Sequence, residues 1–156
     1  MHRSRREFLQ AGSGAGVLAL ATAAGLLRPG EAFAQQWNKA AFETKSFADT
    51  LKALGGSGST ESAQIQITAP DIAENGAVVP ITIESGIART QTIAILIEKN
   101  PNTLSASFEI PDGTDPFVTP RVKMAETSNI YAVVKADGKY FHAAKEIKVT
   151  LGGCGG

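Results

Sequence analysis

From Gln64 onwards, apolar and polar positions alternate with a period of two. Ile65 and Ile67 start the pattern, and Val79, Ile81 and Ile83 repeat it. Ile93, Ile95 and Ile97 follow, then Leu104, Ala106, Phe108 and Ile110. Later runs are Arg121 to Met124, Ile130 to Ala136, Lys139 to His142 and Glu146 to Val149. Successive side chains of a strand point to opposite faces, so each run predicts a strand with one face buried. Turn residues separate the runs: Asn75-Gly76, Ser85-Gly86, Asn100-Pro101-Asn102, Pro111-Asp112-Gly113 and Asp137-Gly138. Asp137-Gly138 predicts a two-residue hairpin, because such turns need positive φ, which Gly adopts cheaply. Seven or eight short strands with frequent turns predict an all-β fold, an immunoglobulin-like antiparallel β-sandwich, over residues 60–151.

Ahead of the strands the period is helical. Phe47, Leu51 and Leu54 are spaced i, i+4, i+7 and predict one helix over 38–54, ended by Gly55 and Gly56. Gly55-Gly56-Ser57-Gly58-Ser59 reads as a short flexible linker. The apolar stripe has two destinations open to it, the chain's own sheet or a partner. Residues 35–59 therefore form an N-terminal helix and linker. No Gly-rich phosphate loop leads into a helix, no βαβ repeat occurs, and nucleotide binding is disfavoured.

Residues 1–34 differ from everything after them. Arg3, Arg5 and Arg6 make a basic start, an apolar Gly/Ala-rich run extends from Ala11 to Leu27, and Ala32-Phe33-Ala34 is an A-x-A cleavage pattern. This predicts a signal peptide cut after Ala34, since the run is short for a membrane span. Ser4-Arg5-Arg6-Glu7-Phe8-Leu9-Gln10 resembles the twin-arginine export motif, with Arg5, Arg6, Phe8 and Leu9 at its positions and Gln10 where Lys is commonest. The resemblance implies export of a folded protein to the periplasm. The segment takes four Arg and two Glu with it, leaving 11 basic and 13 acidic residues in the remaining 122.

The full chain has 15 basic and 15 acidic residues, so it carries no electrostatic footprint for nucleic acid. One Cys and two His do not complete a metal centre or a disulfide framework. The lone thiol is the anomaly in a chain with an export signal. It sits in Gly152-Gly153-Cys154-Gly155-Gly156, directly after the alternating Ile147, Val149 and Leu151 that carry the last strand to about Leu151. Four glycines give a thin arm, 152–156, with one nucleophile and a reach of at most about 16–18 Å. The nearest cation in sequence is Lys148, so the arm contains no device to lower the thiol's pKa from about 8.5. Activation then comes from whatever receives the arm, which favours a carrier over an enzyme. Other readings of the residues are a frayed tail, an exported immunoglobulin-like binding module that dimerises through Cys154, and a thiol oxidoreductase. The last lacks a second cysteine to resolve a mixed disulfide.

The ending Gly-Gly-Cys-Gly-Gly resembles that of the SoxY family, sulfur-carrier subunits of the thiosulfate-oxidising multienzyme system. Glu74-Asn75-Gly76-Ala77, Val79-Pro80-Ile81, Glu98-Lys99-Asn100-Pro101, Thr119 to Met124, Val133 to Gly138 and Lys145 to Thr150 are similar to the family's strand and turn segments. The resemblance implies a non-catalytic subunit. It implies covalent attachment of sulfur substrate to Cys154, a hinge at Gly152 and Gly153, and Gly155 and Gly156 leaving the sulfur uncrowded. It implies no cofactor other than that bound substrate. The implied partners are SoxZ, as a heterodimer, with the c-type cytochrome SoxAX, the hydrolase SoxB and, in many organisms, the sulfane dehydrogenase SoxCD acting transiently. An apolar strip, with parts of the alternating Ile runs, is then expected to serve SoxZ. Trp37 and His142 lie outside the family motif and read as structural.

Overall fold

The computed structural model describes residues 38–151. The export motif at Arg5, Arg6, Phe8 and Leu9, the cleavage residues Ala32 and Ala34, Trp37, and the arm with Gly152, Gly153, Cys154, Gly155 and Gly156 lie outside the described residues.

The expected single helix over 38–54 is two short ones, α1 (Lys39–Phe42) and α2 (Phe47–Ala53). Competing side-chain hydrogen bonds cause the break. The Thr44 hydroxyl donates back to the Ala41 carbonyl, and Ser46 takes an extended conformation and caps α2. The Ser46 Oγ accepts from the Asp49 N–H at 3.1 Å while its hydroxyl donates to the Asp49 carboxylate at 2.7 Å. At the far end Gly55, at φ +92°, donates to the Lys52 carbonyl, and Gly56 donates to that of Leu51. This paired closure is a Schellman cap. The expected flexible linker is therefore fixed at its first two residues.

Eleven strands follow among the described residues: β1 (Thr60–Glu61), β2 (Ile65–Thr68), β3 (Ile72–Ala73), β4 (Val79–Pro80), β5 (Thr82–Ser85), β6 (Thr90–Ile97), β7 (Leu104–Glu109), β8 (Phe117–Val118), β9 (Arg121–Val122), β10 (Ser128–Ala136) and β11 (Lys139–Val149). The larger sheet runs β1-β11-β10-β6-β7, and β3 also pairs with β11. The smaller runs β2-β5-β8, and β4 with β9 makes a separate ribbon. The all-β, immunoglobulin-like sandwich is present. Its pairings are antiparallel except that β1 and β3 lie parallel to β11. The runs at Lys139–His142 and Glu146–Val149 are one continuous strand. It pairs with β10 from Ser128↔Ile147 to Ala136↔Lys139. The Asp137-Gly138 hairpin is as expected, with φ at +50° and +72°.

Between the sheets lies the main core. Ile93, Ile95 and Ile97 of β6, Ile130, Ala132 and Val134 of β10, and Ile147 of β11 face Ile65, Ile81, Ile83, Val79, Val122 and Met124. A second apolar cluster lies on the outer face of the large sheet. There Ala41 and Leu51 meet Ala94, Leu96, Leu104, Val133 and Tyr140, with Phe47 and Leu54 packed alongside. The helical stripe thus covers the chain's own sheet, which settles the two destinations left open. It also corrects the picture of β6 as half-buried. Ile93 to Ile97 are buried on both faces, because α1 and α2 cover the second one.

The same burial narrows the expected partner strip, while Ile67 and Ile110 of the alternating runs stay partly exposed. Ile81, Ile83, Ile93, Ile95, Ile97, Ile130 and Ile147 are all fully buried in the chain's own core, so none of them is free for SoxZ. Among the described residues the exposed large apolar ones are Ile72, Val78, Phe117 and Leu151.

Candidate functional site: the root of the C-terminal arm

The fold's part in the site is to hold the last strand, β11, which leads to the glycine-rich residues 152–156. The segment 69–76 runs beside the end of β11 and ties it down residue by residue. The Lys145 ammonium starts the tie, donating to the Ala69 carbonyl at 2.6 Å and pairing with the Asp71 carboxylate at 3.0 Å. The Lys148 N–H donates to the Asp71 carbonyl and the Thr150 N–H to that of Ala73, both at 3.0 Å. The Thr150 hydroxyl donates to the Glu74 carbonyl, also at 3.0 Å. On the other side the Val149 N–H donates to the Thr127 hydroxyl at 2.9 Å.

The last tie falls on the last described residue. The Gly76 N–H donates to the Leu151 carbonyl at 2.7 Å, and the Gly76 carbonyl accepts from the Met124 N–H at 2.7 Å. Asn75 shapes this turn by accepting the Ala77 N–H on its side-chain carbonyl at 2.8 Å. Pairing as a strand ends at Val149, two residues before the expected Leu151. Hydrogen bonding nonetheless continues through Leu151. Its side chain is 65% exposed, so the backbone is held while the side chain faces solvent.

The arm's root is therefore a three-layer backbone ladder, Leu151 to Gly76 to Met124. The sequence marks Asn75-Gly76 as a turn, not as this clamp. Only the Asn-Gly pair hinted at it, since the bond to Leu151 spans most of the domain. Thr127 carried no signal at all.

His142 sits elsewhere. Its Nδ1 is 2.9 Å from the Ser59 hydroxyl, and its ring meets Phe47 edge-on at 5.5 Å, beside Tyr131. These contacts join α2 and the segment after it to the large sheet. Among the described residues no group of three or more His, Cys, Asp or Glu could hold a metal ion. A polar hollow of about 270 Å³ is lined by Gly56, Gly58, Thr60, Gly138, Lys139 and Tyr140. It lies at the hairpin end of β11, about 33 Å along the strand from the arm's root at roughly 3.3 Å per residue. Five fully extended residues span at most about 16–18 Å, less than that distance.

Comparison with known proteins matches residues 51–154 to the family model described as sulfur oxidation protein SoxY. That match includes the cysteine. Among solved structures, the sulfur carrier protein SoxY from Chlorobium limicola f thiosulfatophilum is similar at 40% identity and a TM-score of 0.58. The alignment covers 66% of this chain and 96% of that one. Two further structures have TM-scores too low to carry an argument. A structure concerning T cell specificity and activation by the bacterial superantigen toxic shock syndrome toxin-1 gives 0.39 at 13% identity, over 55% of this chain and 98% of that one. The human F-spondin reeler domain gives 0.38 at 10% identity, over 59% and 95%. No curated protein matches.

Proposed function

This chain belongs to the SoxY family of sulfur oxidation proteins, and we propose that it is a periplasmic carrier that holds sulfur substrate covalently on Cys154 during thiosulfate oxidation. One observation carries the reading: a backbone tied down through Leu151 is followed at once by Gly-Gly-Cys-Gly-Gly. A fixed root gives the arm a defined origin. Its four glycines place no side chains beside the thiol.

In the first step the Cys154 sulfur forms a bond to the sulfane sulfur of thiosulfate. The thiol loses its proton and an electron pair leaves to the c-type cytochrome SoxAX, giving a Cys S-thiosulfonate. Water, delivered by the hydrolase SoxB, then takes the terminal sulfonate away as sulfate and leaves the persulfide. SoxCD, where present, oxidises that persulfide, and the hydrolase acts again. Each partner supplies its own cofactor, and the carrier supplies only the tethered sulfur. Tethering keeps a reactive persulfide out of solution.

SoxZ is the proposed stable partner. A twin-arginine leader on this chain suits export of the folded pair to the periplasm.

The test is the intact mass of the protein from thiosulfate-grown cells, with Cys154→Ser beside it. Sulfur and thiosulfonate adducts that vanish on reduction and in the variant are expected. A bare thiol, or only a disulfide dimer, during active turnover rejects the carrier and leaves a binding module that dimerises through Cys154.

A further inference from the structure

A second hollow, of about 290 Å³, opens between β7 and β9 and is lined by Asn100, Ser105, Ala106, Arg121, Val122 and Lys123. Two cations set its charge. Val122 is buried between the exposed Arg121 and Lys123, and both of these line the hollow. Neither has an ion-pair partner among the described residues, and no Asp or Glu lines the hollow. The nearby Lys99 and Glu126 pair with each other instead. Asn100 is fully used as a brace, donating to the Lys123 carbonyl at 2.8 Å and accepting from the Ala125 N–H at 2.9 Å. It fixes the backbone on which Lys123 stands. The half-buried Ser105 hydroxyl adds a neutral donor on the opposite wall.

Two unpaired cations on a braced backbone, with a hydroxyl opposite, suit a tetrahedral oxyanion. The position adds to this. Lys123 directly precedes Met124, the third layer of the ladder at the arm's root. Met124 and Leu151 are joined through the single residue Gly76 by two hydrogen bonds, which keeps their backbones within about 10 Å, roughly two strand spacings. Cys154 lies three residue steps beyond Leu151, and three steps span up to about 10–11 Å when extended. A sulfonate on Cys154 is therefore within reach of Lys123.

We infer that the hollow walled by Ser105, Arg121 and Lys123 is a binding site for sulfonate-type oxyanions. The same chemistry has two sources, the terminal sulfonate of a Cys154 S-thiosulfonate or free thiosulfate. The tethered source rests on the carrier reading, and the cationic hollow does not. Held there, a tethered sulfonate stays against the body of the protein between partners. A free ion held there is concentrated beside the thiol it is to join.

The experiment is nuclear magnetic resonance of the purified protein, following the amide and side-chain signals of Ser105, Arg121 and Lys123. In one arm Cys154 is loaded with tetrathionate. The thiolate attacks an inner sulfur, the central S–S bond breaks, thiosulfate leaves, and the S-thiosulfonate remains. In a second arm free thiosulfate is titrated into Cys154→Ser. A neutral methyl disulfide on Cys154 is the control.

Shifts at the three residues in the loaded arm, absent from the control, establish the tethered source. Saturable shifts in the second arm establish the free ion. Joint Arg121→Gln and Lys123→Gln substitution weakens whichever is seen by about tenfold or more, the loss expected for charge-assisted hydrogen bonds. Silence at all three residues in both arms, or equal shifts with the neutral adduct, overturns the site.

Because loading is done chemically, this outcome is independent of whether adducts form in cells. Adducts in cells with a silent hollow leave the carrier standing without the site. Thiosulfate binding with a bare thiol in cells leaves an oxyanion site on a protein that is not a carrier.

Discussion

Gly76 donates its N–H to the Leu151 carbonyl at 2.7 Å, a hydrogen bond on the last of the described residues. Two segments that are 75 positions apart thus decide where the arm leaves the body. Beside this bond the Thr127 hydroxyl accepts the Val149 N–H. Thr127→Val keeps the shape and removes the acceptor. The Val149 amide is then left unpaired, at a cost of about 1 kcal/mol. Amide hydrogen exchange at Val149 is expected to speed up about fivefold or more, with little change at Ile95 in the core. Equal exchange at Val149 in both proteins would show that Thr127 does not hold the root.

Gly56 lies where α2 presses on the large sheet. A Cβ there would sit 2.9 Å from both Leu51 Cδ1 and Tyr140 Cδ2, closer than side-chain carbons tolerate. Gly56→Ala must push α2 outward or displace the Tyr140 ring. We expect a loss of about 1–3 kcal/mol in urea unfolding, with the strand signal in circular dichroism unchanged. A stability equal to the parent would mean that α2 yields freely.

Tyr140 also ties the end of α2 to β11, its hydroxyl donating to the Leu54 carbonyl at 2.5 Å. Tyr140→Phe keeps the ring in the outer cluster and removes only this bond. The expected loss is about 0.5–1.5 kcal/mol, read as a lower urea midpoint with the slope unchanged. Fraying of α2 should appear first at Leu54, whose carbonyl loses its partner.

Changes in the arm should separate chemistry from stability. Cys154→Ser is expected to abolish loading by thiosulfate or tetrathionate and to leave the thermal midpoint where it was. Gly153→Val is expected to slow turnover with the partner enzymes far more than it lowers stability, since a branched side chain thickens the arm and stiffens it. Normal turnover of Gly153→Val with every partner would remove the argument from a slender arm.

The legible part of the fold was local. Alternation marked β2, β5, β6, β7, β10 and both halves of β11, and Asp137-Gly138 marked the hairpin with the φ values it needs. The gap in the apolar pattern at His142 to Lys145 suggested two strands. β11 nonetheless continues through it, because β10 pairs with it without a break from Lys139 to Ile147. The break between α1 and α2 was written in the sequence as Ser46 and Asp49, a cap signature within the helical run. The periodicity of Phe47, Leu51 and Leu54 concealed it.

The candidate chemistry divides in the same way. A single cysteine among four glycines, an A-x-A pattern and paired arginines are readable without coordinates, because composition and covalent order alone define them. So is the alternation that makes a sandwich, since side-chain direction follows the local backbone period. Contacts between distant segments are different. Nothing near Gly76 in sequence names Leu151, and nothing near Lys123 says that it follows the ladder to the arm's root. Those relations exist only once two sheets have packed and the loops between them have been drawn to fixed places. The Ile runs show the same limit. Their spacing told which residues turn inward, while the packing of α1 and α2 decided that the outer face of β6 is covered as well.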